Sequence, residues 1–154
     1  MLNLSLDSPI PQLNTLYNPL KSDELPPSAF SWREALYLPR WDICAVPSPE
    51  QTFWIMRVAH CLMLVQQYFN RPIKVNSWLR PPRYNSIVGG AANSPHIEGK
   101  AVDFVVEGIS SDKVRERLRT ELDLLGVRVQ NHKFGTSWVH LDLREPGPSG
   151  RYFK

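Results

Sequence analysis

Cysteine is scarce, with two, Cys44 and Cys61, among 154 residues. No CxxC pair or zinc-knuckle spacing exists, so a cysteine-ligated metal is not expected. The sequence allows a Cys44–Cys61 bridge, or a Cys61 packed as a small hydrophobe in an apolar helical run. No window approaches the roughly 20 apolar residues needed to cross a bilayer. No basic start followed by an apolar stretch marks the first residues, so no secretory leader is legible. Charge of one sign is also lacking. The 18 Lys and Arg stand against 15 Asp and Glu, a net +3. The pI of about 9.0 would favour an anionic partner. Yet no Lys/Arg block interleaves with aromatics, so a nucleic-acid groove is not expected. Internal repeats and low-complexity tracts are absent.

Proline is plentiful, at 14 residues. It clusters at 9–27, 39–49 and 146–148, so irregular segments should flank a regular core. The length suits one domain that needs no staple. Residues 1–28, rich in Pro, Leu, Asn and Ser, read as an extended, wrapping arm with little regular structure, and 29–154 as a single domain. A short helix is expected near Ser31, over Phe30 to Tyr37. Ser48-Pro49-Glu50-Gln51 is a strong helix start with a capping box. That helix should run to about Phe69 with Trp54, Val58, Cys61, Leu62, Val65 and Phe69 as its stripe. Its His60 reads as a core or rim histidine. Ile73–Leu79 and Ala101–Val106 read as strands around a long loop, 80–98. A helix capped by Ser110 or Ser111 should end at Gly126, with Val114, Leu118, Leu122 and Leu125 inward. Val127–Gln130 and Ser137–Leu143 should close the fold as strands. The order implies an α+β class with a small antiparallel sheet and helices on one face.

Two segments carry chemistry. In the first, His96 ends the long loop and Asp103 follows seven residues later on a strand. Seven extended residues span about 23 Å, so both side chains reach one point only if the chain turns back, and Gly99 supplies the turn. Ala101 is small and on the Asp103 face, which leaves room for an ion. In the second, Trp138, His140 and Asp142 alternate with Val139, Leu141 and Leu143, so one face is apolar and the other polar. Two His and one Asp are three ligands, the number that catalytic zinc sites use while leaving a position open. Two imidazoles and a carboxylate suit zinc. Lone His and Asp residues on strands are also common, and convergence does not follow from spacing.

Ser94-x-His96-x-x-Gly99-x-Ala101-x-Asp103 resembles the metal-binding motif of the zinc D-alanyl-D-alanine carboxypeptidase family, which shares its fold with the hedgehog signalling domain. Five fixed positions match by chance about three times in ten million starts. Val139-His140-Leu141-Asp142-Leu143-Arg144 resembles the family's third-ligand strand. Ser77-Trp78-Leu79-Arg80-Pro81-Pro82-Arg83-Tyr84-Asn85 and Gly89-Gly90-Ala91 resemble its arginine-bearing loop. Phe30-Ser31-Trp32-Arg33-Glu34-Ala35 resembles the start of a bacterial and phage branch. The likeness covers about residues 30–144.

The resemblance implies one Zn²⁺ per chain on His96, Asp103 and His140. It implies that Arg80 holds substrate and steadies developing negative charge, and that Ser94 positions His96. It implies a peptidase cutting an amide in the D-amino-acid-containing peptides of peptidoglycan, as carboxypeptidase or endopeptidase. The expected partner is that peptide, with no nucleic acid and no membrane span, and the chain acts as a monomer. The expected location is the cytoplasm, or a phage product released to the cell wall. Trp138 and Trp78 are expected along the cleft, with core packing as the alternative. Family relatives carry a Glu or His general base where this chain has Ser137 and Trp138. Asp142, Glu98 and His132 are the substitutes in reach, with Asp142 alternatively orienting a ligand or pairing with Arg144 or Arg80. The same departure fits an inactive zinc-containing module that binds a wall or a protein.

Overall fold

The computed structural model describes residues 5–11, 30–133 and 135–154. Capping chemistry sets the first helices. Ser31 forms a capping box with Glu34 and Ser48 one with Gln51, each satisfying otherwise unpaired N–H groups. Helix α1 follows at Trp32–Leu36 and α2 at Pro49–Phe69, the latter closed by Asn70 in the left-handed region. The expected stripe of α2 is buried from Val58 to Phe69, joined by Ile55, Ala59 and Met63. Trp54 instead lies half-buried under the Lys100 ammonium, 4.6 Å from its ring.

A short ribbon, β1 (Tyr37–Leu38) with β2 (Ile43–Cys44), precedes α2. Strands of two residues are too short to carry a periodic signal. The main sheet has β3 (Ile73–Ser77), β4 (Ala101–Val106), β5 (Arg128–Gln130), β6 (Val139–Asp142) and β7 (Tyr152–Phe153), in the order β3-β4-β6-β5-β7. The first four pair antiparallel as expected. The expectation of a purely antiparallel sheet needs correction at one edge, where β7 runs parallel to β5. Residues 143–151 carry the chain back to that edge. The class is α+β.

Ile55, Val58, Leu62 and Val65 of α2 share one buried cluster with Val102, Phe104, Val106, Val139 and Leu141 of the sheet. Burial of such side chains contributes about 1.5–3 kcal/mol each. The single helix expected over 110–126 is two, α4 (Ser111–Leu118) and α5 (Leu122–Leu125). Thr120 lies in the break, its hydroxyl donating to Arg117 O and Glu121 Oε1, a side-chain competition that helix interiors disfavour. Val114, Leu118 and Leu122 still face the core. The long loop contains a short helix, α3 (Pro82–Ile87), begun by proline. Cys44 and Cys61 are free, and burial pushes the Cys61 thiol up to about 11.

Most of the expected N-terminal arm, 1–28, lies outside the described residues. Residues 5–11 dock on the core. Ile10 is fully buried in the core cluster. Its N–H donates to Phe30 O at 2.8 Å, and Arg33 N donates to Leu6 O at 2.7 Å.

Candidate metal centre

Register builds the site. Antiparallel pairing sets Asp103 of β4 directly opposite His140 of β6, with Ser77 of β3 on the other side. His96 arrives by the loop. Gly99 turns the chain back at φ +76°, and a Cβ there would sit 3.1 Å from Gln51 O of α2. That close approach together with the positive φ suits glycine. The Ser94 hydroxyl accepts from His96 N at 3.4 Å, and His96 O accepts from Arg80 N at 3.0 Å. The ligand atoms of His96, Asp103 and His140 all lie within 4.8 Å of one another.

The tautomers follow from the partners. His96 Nδ1 lies 2.6 Å from Trp78 O, and a carbonyl only accepts, so Nδ1 carries the proton. Burial lowers the pKa of His96, so its Nε2 is a lone pair, 3.2 Å from Asp103 Oδ1. Nε2 of His140 is 3.3 Å from Asp142 Oδ2 and its Nδ1 is 2.8 Å from Asp103 Oδ1. When Nε2 donates to Asp142, Nδ1 also becomes a lone pair. Burial would lower the His140 pKa, but its contacts with Asp103 and Asp142 raise it; once the Nδ1 proton is lost, three electron-rich atoms would face one another, as ligation of a cation requires. Ligands about 2.0–2.2 Å from a tetrahedral zinc lie about 3.3–3.5 Å apart; Asp103 Oδ1 is 3.2 Å from His96 Nε2 and 2.8 Å from His140 Nδ1. The residues fit zinc.

The second oxygen of Asp103 is held from outside. Arg80 Nη2 donates to Asp103 Oδ2 at 2.5 Å, and Arg80 Nε donates to Ser77 Oγ at 2.9 Å. Burial alone would raise the Asp103 carboxyl. Its contacts with His140 and His96 outweigh that and hold it well below the usual carboxylate range. Asp142 repeats the pattern behind His140. It is fully buried and accepts from Arg128 Nε and Nη2, both at 2.8 Å, and from Arg144 N at 2.9 Å. Burial would raise it, yet the His140 and Arg128 bonds bring it down to about 2. A carboxylate that orients a ligating imidazole this way raises ligand basicity.

Around the triad lies a cleft of about 470 Å³, lined among others by Arg80, Ser94, Gln130, His132, Trp138, Arg144 and Phe153. Three expected site residues are not in that lining. Asp142 faces Arg128 behind His140. Glu98 pairs with Lys100 at 2.8 Å on the outside. Trp78 is a core residue, 1% exposed and edge-on to Phe30; it serves the site through its carbonyl. Trp138 is at the rim, 39% exposed, just before β6 rather than within it. His132 packs edge-on to Trp138 at 5.4 Å between ring centroids. Among the described residues its buried Nε2 meets no hydrogen-bond partner. The loop that carries both is pinned by buried Arg115, which donates to Trp138 O at 2.7 Å and pairs with Asp112.

Arg128, Arg144 and Phe153 escaped the sequence reading as site residues. Arg144 stood in the motif, but only as a pairing partner. Phe153 sits on a two-residue strand, with the Arg128 guanidinium 4.1 Å from its ring. No local pattern marks such positions.

A family model described as Peptidase M15 matches residues 19–142. The chain belongs to the peptidase M15 family. The match spans both segments of the triad and begins within the expected arm. Membership supports a hydrolase of the metallopeptidase type, in line with the group His96, Asp103 and His140 that could hold a metal ion. No curated protein matches the chain. Among the described residues no helix is long and apolar enough to cross a membrane.

Proposed function

We propose that this M15 chain hydrolyses an amide bond in the D-amino-acid-containing stem or cross-link peptides of peptidoglycan, with zinc on His96, Asp103 and His140. One observation carries the reading: His96 Nε2, Asp103 Oδ1 and His140 Nδ1 converge at the wall of an open cleft, each fixed from behind by a separate partner. Zinc, when bound, supplies a Lewis acid that polarises a carbonyl and makes water nucleophilic near neutral pH. The protein's own groups do the rest. Trp78 O and Asp142 fix the two imidazole tautomers. Arg80 fixes Asp103 and brings a guanidinium to the cleft, where charge developing on a carbonyl oxygen is best stabilised. Among the described residues the cleft's other ionisable groups are the three ligands, Arg144 and His132. The arginines stay protonated, so His132 is the group able to accept a proton from the attacking water at neutral pH and return it to the leaving amine. Burial lowers its pKa, which keeps it in the accepting form.

A second reading is a non-catalytic zinc module that binds a wall or a protein. It draws support from the placement of Asp142 and Glu98 away from the cleft. Elemental analysis together with a peptidoglycan digest separates the two. About one zinc per chain, lost in His96→Ala, and new amine ends released from peptidoglycan support the peptidase. A His132→Gln variant should keep its zinc and lose about 10²–10⁴-fold in kcat. Zinc without amine release from any peptidoglycan supports the binding module. No zinc uptake at neutral pH sinks both.

A further inference from the structure

The cleft is richer in positive charge than hydrolysis requires. Among the described residues its lining contains two guanidinium groups, Arg80 and Arg144, and a single carboxylate, Asp103. Arg80 already has that carboxylate as its partner. Arg144 has none: among the described residues no acidic side chain pairs with its guanidinium. Its Nη1 donates to Asn93 O at 3.1 Å, and its buried Nε meets no partner. The backbone holds it in place, since Arg144 N donates to Asp142 Oδ1 and Leu143 N donates to Lys100 O. A guanidinium with unused N–H groups in a partly enclosed site is costly to leave unpaired. Its planar fork matches a carboxylate better than it matches any neutral peptide group. A charge of +2 brought by zinc would deepen the preference for an anion.

We infer that Arg144 forms an anion subsite that holds a carboxylate of the substrate peptide while the neighbouring amide is cut. This rests on the peptidase reading above and deepens it. The carboxylate has two possible sources in a stem peptide: the free C-terminus, or the carboxylate of an internal acidic residue. The guanidinium chemistry is the same for both.

Three versions of one stem peptide test the inference: unmodified, amidated at the C-terminus, and amidated at the internal carboxylate. Each is given to the zinc-loaded protein and to Arg144→Gln and Arg144→Lys. Turnover gives kcat/KM, and calorimetry gives Kd. Wild type should lose about ten- to a hundredfold in kcat/KM and in affinity for one amidated peptide, the size of a charge-assisted bond. The amidation that hurts names the source. Arg144→Gln should bind the unmodified peptide equally weakly and ignore that amidation, with zinc content unchanged. Arg144→Lys should recover part of the discrimination. Wild type indifferent to both amidations, or Arg144→Gln discriminating as wild type does, overturns the subsite while leaving the peptidase intact. If wild type binds without cutting, the peptidase reading falls and the same comparison is read from Kd. If it neither binds nor cuts, both fall.

Discussion

Replacing Asp142 with asparagine removes one negative charge from a buried network and nearly preserves its shape. The wild-type carboxylate accepts two bonds from Arg128, one from Arg144 N, and one from His140 Nε2. An asparagine offers one oxygen and places an NH₂ group among these donors. Arg128, with its side chain 11% exposed, is left as a buried cation without its anion. Breaking a buried pair from one side costs about 3–5 kcal/mol. That is a large part of the 5–15 kcal/mol that usually holds a domain. The melting temperature of the metal-free protein should fall by about 6–20 °C. The second effect is on the metal. Without the carboxylate, the His140 tautomer is no longer set, and zinc affinity should fall about 10–100-fold. Thermal denaturation and a chelator-competition titration measure the two effects. Glu98→Gln is the control and should change neither, because Glu98 pairs with Lys100 outside the cleft. A folded Asp142→Asn that binds zinc as tightly as wild type would refute the orienting role. If that variant also lost all hydrolysis, Asp142 would be a proton-transfer group after all.

Two further outcomes follow from the same structure. The Asp142 carboxyl lies at about 2, below its ordinary 3.8, so it stabilises the fold above about pH 4 and loses that contribution as pH falls through about 2. The contribution is about 2 kcal/mol, and urea unfolding of the metal-free protein between pH 6 and 2 should show the loss in wild type but a flatter profile in Asp142→Asn. Ile10→Ala should cost about 2–5 kcal/mol by urea unfolding, because Ile10 is fully buried in the core; a cost below about 0.5 kcal/mol would mean the 5–11 segment does not dock in solution.

The sequence by itself determined the parts whose causes are local. Ser48, Pro49 and Gln51 begin α2, and Asn70 ends the run, because caps and proline act within one helical turn. The limits of β4 over Ala101–Val106 follow from alternation and from Gly99. The residues of the metal triad were legible through the resemblance of the Ser94 to Asp103 and Val139 to Arg144 segments to the family's motifs, because spacing alone left their convergence open. Other features were decided only by tertiary structure. Asp142 alternates in phase with His140, so spacing alone puts both on a cleft face. Pairing of β5 with β6 sets Arg128 opposite Asp142, and that cross-strand partner turns the carboxylate inward. Trp78 reads equally as a cleft or a core aromatic, and packing against Phe30 places it in the core, with its carbonyl toward His96. The break at Thr120 and the parallel strand β7 are set by contacts with distant residues, and two-residue strands carry too few positions for a period. Ligand identity is written in residue types. Ligand orientation and proton placement arise from which strands become neighbours.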